Sequence, residues 1–401
     1  MNSAAALLDF ERQMDGLMAS IDRHRTFAAA VALVALASIA YAIILKFGIF
    51  GDQAVTAIDD LGEAVAAAIA SAACAWAAMR AVGRERLGWA LMSISTGLWA
   101  AGEVAWSVYE VFMQVTVPTP SLADAGFLAA VPFAMAGIRA FWSDAARGTS
   151  VKWRVWFDGV IVAIALTSTA WAFGLRQVWE SQSDTKILDL AYPVGDILIG
   201  TMLILAIRRA TGQQAGRMAL LLAGVAAYSV ADSAFAYLNA QGSYESVGQV
   251  LNTGWFAGFL MIALSATYPA GGVKTETKGA RLDLWQLALP WMTLLLASAG
   301  DVYASISGHD LDLFMSSMTA ALALLLTVNM IIERREFLEM FNEIQDSQTT
   351  LDRDVKAGLE AIQYDSELIE KEPQVPADAR RLAAEIHHSA EQLDKLVEEM
   401  L

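Results

Sequence analysis

Carboxylates set inside long apolar stretches are the residues of this chain whose chemistry most needs an explanation. Glu103 in W-A-A-G-E-V-A-W and Asp232 in A-Y-S-V-A-D-S-A-F-A-Y lie some four helical turns into apolar segments. Asp196 follows Asp189 by seven residues, so the two share roughly one helical face. An ionisable group at such depth is costly in a bilayer and marks a functional position by default. The competing reading is a polar residue bonded to a neighbouring helix. Trp99, Trp106, Tyr109, Trp171, Tyr192, Tyr228, Phe235 and Trp255 surround these acids. An interfacial belt explains many such aromatics. Acids and aromatic faces together suit a cation, an amine or a lipid head group.

A second set of polar residues recurs at a fixed interval. Asp60, Asp124, Asp189 and Asn252 are spaced by 64, 65 and 63 residues, each near the start of an apolar segment. Three of them precede an aromatic by three residues, in D-A-G-F, D-L-A-Y and N-T-G-W; the first copy, D-L-G-E, is weaker. Upstream, Glu103, Ser168 and Asp232 repeat at about the same interval. Such self-similarity predicts tandem helical hairpins in parallel orientation, with Asp301 and Asp312 in a divergent fifth copy. Asp60, Asp124 and Asp189 are read first as helix caps. That role does not extend to Glu103, Asp196 or Asp232.

The elements that must position these groups are membrane spans. The 401 residues are 56% apolar, with a mean hydropathy of +0.44, too hydrophobic for an average soluble domain. Ten segments are long enough to cross a hydrocarbon core: 27–50, 56–80, 88–113, 122–142, 155–176, 187–208, 216–239, 247–269, 283–306 and 311–332. Arg80, Arg84, Arg86, then Arg139, Arg147, Lys152, Arg154, then Arg208, Arg209, Arg217, then Lys274, Lys278, Arg281 fall in alternate loops. Under the positive-inside rule both termini are expected in the cytoplasm. Residues 1–26, with Leu7, Phe10, Met14, Leu17 and Ile21 at helical spacing, read as an amphipathic cytoplasmic helix rather than a signal peptide.

Several chemistries find no support. The one cysteine, Cys74, lies in an apolar run and reads as a buried hydrophobe. His24, His309, His387 and His388 all fall outside the spans, so haem or copper held by histidines in the bilayer is unsupported. No lysine sits in mid-span for a retinal Schiff base, and no nucleotide-binding or Ser-His-Asp motif can be placed. No metal and no cofactor are expected.

P-T-P-S-L-A-D-A-G-F, D-L-A-Y-P-V-G-D and A-Y-S-V-A-D-S-A-F-A-Y-L with L-N-T-G-W resemble the multi-span sensor modules of bacterial signalling proteins. In that group such a module precedes a histidine kinase, a diguanylate cyclase or a phosphodiesterase. The resemblance covers roughly residues 85–270 and implies no particular ligand.

Residues 336–401 hold seventeen Asp/Glu against six Lys/Arg, most of the net charge of −16, which argues against a nucleic-acid partner. Phe337, Phe341, Ile344, Leu351, Val355, Leu359, Ile362 and Ile369 form one apolar seam. Leu382, Ile386, Ala390, Leu393, Val397 and Met400 form another beyond the break Glu372-Pro373-Gln374-Val375-Pro376. An antiparallel hairpin or coiled coil over 333–401, paired into a dimer, would cover both. This hairpin resembles the dimerisation and phosphotransfer domain of histidine kinases. Arg353 stands at the phosphoacceptor position of that family, Asp354 at the following acid and Gly358 at its proline position. The chain ends at Leu401 with no ATP-binding domain.

The expected fold is therefore all-α: a ten-span sensor over 27–332 and a cytoplasmic hairpin over 333–401. The expected role is a non-enzymatic inner-membrane sensor or scaffold. It would be homodimeric through its C-terminal helices and would address a response regulator or kinase. The alternatives are an ion- or proton-coupled transporter using Glu103, Asp196 and Asp232, or the anchor of a kinase or cyclase. Candidate ligand-binding residues are Glu103, Asp124, Asp189, Asp196, Asp232, Trp99, Trp106, Tyr192, Tyr228 and Trp255.

Overall fold

Long apolar runs leave the backbone only one way to satisfy its polar groups within a single segment, the α-helix. The computed structural model describes residues 2–142, 149–181, 185–207, 210, 213–241, 250–269 and 313–400, with isolated positions between 295 and 306. Among these residues every regular element is helical and no strand occurs. The chain divides into two compact units, Met1–Leu324 and Leu325–Leu401.

In the first unit, α1 (Asn2–Phe47) runs without a break through residue 26, so the expected amphipathic segment continues directly into the first apolar stretch. There follow α2 (Asp52–Arg80), α3 (Gly83–Ser107), α4 (Leu122–Phe141), α5 (Thr149–Ala170), the short α6 (Arg176–Glu180), α7 (Lys186–Ile207), α8 (Gln213–Ala240) and α9 (Thr253–Thr267). A π-helical turn, Val108–Phe112, extends α3, and another, Trp171–Leu175, extends α5.

Among the described residues seven helices are long and apolar enough to cross a membrane, including α10 (Leu313–Lys371). The expected ten are not all in that number. α3 carries Arg84, Glu85, Arg86 and Glu103 together with several serines, threonines and glycines, so its hydropathy is low. The apolar part of α5, Trp156–Ala170, is short. The segment 283–306 falls almost wholly outside the described residues, as do Asp301, Asp312, Lys274, Lys278 and Arg281.

Packing order explains why a helix as polar as α3 is retained. α2 packs on α3, α3 on α4, α4 on α7, α7 on α8, α8 on α9, and α9 back on α2, closing a ring of six helices. α1 lies outside against α9, and α5 lies outside against α7. Outward positions such as Leu33, Leu36 and Ile39 on α1 are exposed apolar side chains suited to lipid. α3 can afford polarity because its neighbours, α2 and α4, shield it on both sides.

Lipid tails are as apolar as leucine, so the cohesion of such a ring comes from close backbone approach rather than from hydrophobic transfer. Two crossings supply it. A Cβ on Gly126 would lie 2.8 Å from the Leu98 carbonyl, and one on Gly102 would lie 2.5 Å from the Phe127 ring. At the other crossing, a Cβ on Gly224 would lie 2.6 Å from the Gly258 carbonyl, and one on Gly254 would lie 2.6 Å from the Ala227 carbonyl. Gly126 and Gly254 hold equivalent places in D-A-G-F and N-T-G-W, so α3–α4 and α8–α9 are built alike.

In the second unit, α10 ends at Lys371 and α11 (Ala377–Met400) begins beyond the proline break. His387 Nδ1 lies 3.2 Å from Ser366 Oγ and 3.1 Å from the Gln363 carbonyl oxygen. Leu359, Ser366, Ala383 and Ala390 are buried there. Most of the expected seam is not: Phe337, Phe341, Ile344, Leu351, Ile362, Leu382, Ile386 and Leu393 are exposed in the single chain. Small residues meet at the contact and leave the larger apolar side chains pointing outward. Arg353 and Asp354 are exposed on α10.

Candidate functional site

At one end of the ring all six helices contribute to a single cavity. Asp60 and Glu63 come from α2, Trp99, Glu103 and Trp106 from α3, and Glu110 from its π-helical turn. Asp124 and Phe127 come from α4, Asp189 and Tyr192 from α7, and Asp232 and Phe235 from α8. Asn252 and Trp255 enter from the start of α9. The cavity leaves about 70 Å³ for the centres of water-sized molecules, room for several waters or one small ligand. Among the described residues seven carboxyl groups line it, and no lysine, arginine or histidine does.

Aromatic donors hold several of these acids. Trp99 Nε1 donates to Glu103 Oε1 at 2.9 Å, and Trp106 Nε1 donates to Glu110 Oε2 at 2.7 Å. Both pairs are four residues apart on α3 and the π-helical turn that extends it, and seven residues from one another, so they follow one face. Trp255 Nε1 donates to Asp232 Oδ1 at 2.6 Å across α8 and α9. The Tyr192 hydroxyl donates to Asp124 Oδ1, tying α7 to α4. A charged acceptor makes each of these bonds stronger than a neutral one.

The cap readings separate. Asp124 is the N3 partner in a capping box: the Ser121 backbone N–H donates to Asp124 Oδ2 at 2.6 Å, and Ser121 Oγ accepts from the Ala123 N–H. Asp189 sits in the first turn of α7 and accepts from Thr185 Oγ1 at 3.0 Å. Asp60 is no cap. α2 starts earlier than expected, at Asp52, which leaves Asp60 two turns inside and buried.

Three carboxyl oxygens in the cavity wall have no hydrogen-bond partner: Asp60 Oδ2, Glu63 Oε1 and Asp232 Oδ2. Their residues are only 8%, 6% and 6% exposed. A buried acceptor left unmatched costs about 1–3 kcal/mol, more when charged. Three around one cavity describe a place prepared for donors that the chain itself does not supply.

Trp99, Tyr228 and Phe259 close the ring beneath this cavity, with centroids of Trp99 5.6 Å from Tyr228 and 5.5 Å from Phe259. Tyr228 and Asp196 are not in the cavity wall. They line a smaller space that Trp99 also borders. Asp196 borders that smaller space, where its carboxyl lies against the Asp232 carboxyl of the cavity wall. Ser168 is buried on α5, outside the ring, and also misses the cavity. Of the repeat's inner positions only those on ring helices, Glu103 and Asp232, reach it.

Asp59, Tyr41 and Glu110 were not singled out from the sequence. Tyr41 donates to Asp59 Oδ1 at 2.6 Å and Asn252 Nδ2 donates to Asp59 Oδ2 at 2.7 Å, joining α1, α2 and the start of α9. Asp59 is thus matched on both oxygens and serves assembly. Glu110 could have been found, because W-S-V-Y-E repeats the W-A-A-G-E spacing one heptad later. Among the described residues no three His, Cys, Asp or Glu side chains converge closely enough to hold a metal ion. No protein-family model, no curated protein and no solved structure matches this chain.

Proposed function

We propose that this protein is a non-enzymatic receptor or scaffold of a bacterial inner membrane, with its acid-lined cavity at the outer side and its C-terminal helices as the output. The observation that carries the reading is the set of unmatched, buried oxygens of Asp60, Glu63 and Asp232 facing a cavity that six helices share. An occupant there touches every helix of the ring, so its arrival biases how they pack.

Orientation follows from charge. Arg80, Arg84, Arg139 and Arg217 lie at the helix ends remote from the cavity, which the positive-inside rule assigns to the cytoplasm. α10 is a single helix over Leu313–Lys371 that leads from the membrane-spanning part into the tail. The exposed Leu351, Ile362, Leu382, Ile386 and Leu393 support homodimerisation of the tail. The arginine at position 353, where the resembled kinases carry a histidine, supports a scaffold or docking role toward a response regulator or kinase rather than autophosphorylation.

The transporter reading draws on Asp196, the acid beyond the Trp99 floor. One experiment separates the two. Full-length protein in lipid nanodiscs, carrying Ser347→Cys for disulfide crosslinking between protomers, is compared with and without Asp232→Asn. The receptor reading expects the crosslinking yield to change by about threefold or more. Unchanged crosslinking, together with proteoliposome solute flux abolished by Glu103→Gln, would replace it with the transporter.

A further inference from the structure

We infer that the occupant of the cavity is a short linear aliphatic diamine, one ammonium held by Asp60 and Glu63 on α2 and the other by Asp232 on α8. This rests on the receptor reading of the same site and adds the ligand class.

Charge sets the first condition. Among the described residues seven carboxyl groups and no basic side chain line the cavity, so an anion is repelled and a cation is attracted. Geometry sets the second. The unmatched oxygens fall on α2 and on α8, which are not neighbours in the ring, so they form two loci rather than one. Asp232 accepts from Trp255 on its other oxygen, and Glu103, Glu110 and Asp124, which also accept from an indole or phenol of the wall, have no buried oxygen left without a partner among the described residues.

Chemistry sets the third. A carboxylate oxygen only accepts, so its complement must donate, which an ammonium bearing N–H does and a quaternary ammonium does not. A metal ion would need several acids converging on one point, and among the described residues no three do so. The same cavity has an aromatic wall: Phe235 stands edge-on to both Trp106 and Trp255, each at 6.2 Å between centroids. Such faces accept a methylene chain flanked by positive charge.

The test is calorimetric titration of the full-length protein in nanodiscs with 1,4-diaminobutane, butylamine, tetramethylammonium chloride and calcium chloride. The second ammonium acts as a tethered second contact, so diaminobutane should bind about tenfold or more tighter than butylamine. Tetramethylammonium and calcium should bind more weakly than either amine. Asp232→Asn and Asp60→Asn should each bring diaminobutane down to the affinity of butylamine. Equal affinities of the two amines in the unaltered protein, or tighter binding of calcium or tetramethylammonium, would overturn the assignment. That comparison needs no variant, so a misfolded mutant cannot shelter it. Diamine binding without any change in tail crosslinking overturns the receptor and upholds the ligand class. Crosslinking that responds to Asp232→Asn without amine binding does the reverse.

Discussion

The two ends of the helix ring use the same materials and reach opposite results. About nineteen residues separate Arg84 from Glu103 along α3, roughly 28 Å at 1.5 Å per residue. At the Arg84 end, Arg23, Arg80, Arg84 and Arg217 line a wider space with Trp76, Trp89 and Trp142. It leaves about 1040 Å³ for the centres of water-sized molecules, against about 70 Å³ at the acidic end.

Charges at the basic end mostly meet partners within the chain, although the buried Arg217 Nε has none. Arg80 lies over Trp76 at 4.2 Å from the ring centroid, Arg139 over Trp142 at 5.3 Å, and Arg217 pairs with Glu85 at 2.5 Å. Arg84 donates to the Ala140 and Arg139 carbonyls at 3.4 Å. At the acidic end the walls are tighter, and carboxyl oxygens remain unmatched. The difference teaches that charge type alone does not mark a site. Long, flexible arginines find partners among carbonyls, rings and acids, whereas short carboxylates held by ring-facing backbone cannot swing away to do so.

The contrast can be broken at its root by prying apart the crossing on which both ends depend. α8 and α9 supply Asp232 and Trp255 to one cavity and Gln214, Arg217 and Ala266 to the other. Gly224→Val would drive a side chain into the Gly258 carbonyl, costing about 3 kcal/mol or more. Loss of the folded peak in fluorescence-detected size exclusion after mild heating is the expected outcome.

A smaller and opposite effect belongs to the acidic end. Glu63→Gln replaces a buried ionisable carboxyl, one oxygen of which has no partner, with a neutral amide, so the unliganded protein should gain about 1 kcal/mol and melt higher while diamine binding falls. A lower melting temperature for this variant would mean that Glu63 serves stability, and the comparison would lose its point.

The smallest effect is expected at the basic end. Arg217→Met breaks a pair whose Glu85 side chain is half exposed, worth about 0.5 kcal/mol after solvent screening. Amine affinity should stay within twofold. A large loss of amine binding here would show that the two ends are coupled rather than merely different.

Much of the acidic site was legible in the repeat. Asp60, Asp124, Asp189 and Asn252 all line the cavity because each copy returns the chain to the same end of the ring, and a 64-residue period records that return. Glu103 and Asp232 were legible as acids too deep to be caps. Glu63 was seen only as the irregular end of a repeat, and Glu110 was overlooked although its heptad partner lay beside it. Asp196, Tyr228 and Ser168 show where periodicity failed. A helical face says which way a side chain points around its own axis, but not how far along the axis the cavity extends or whether the helix belongs to the ring.

What the sequence by itself determined is the set of long apolar helices, their common acidic end and opposite basic end, and the proline break before Ala377. These are local properties: hydropathy, period and turn chemistry act within one segment. Only the tertiary structure decided that α1 and α5 stand outside, that six helices close on one cavity, and which carboxyl oxygens there are left without partners. Those outcomes depend on glycine crossings between segments far apart in the chain. Whether a buried oxygen is matched is a property of its neighbours, not of the residue that carries it.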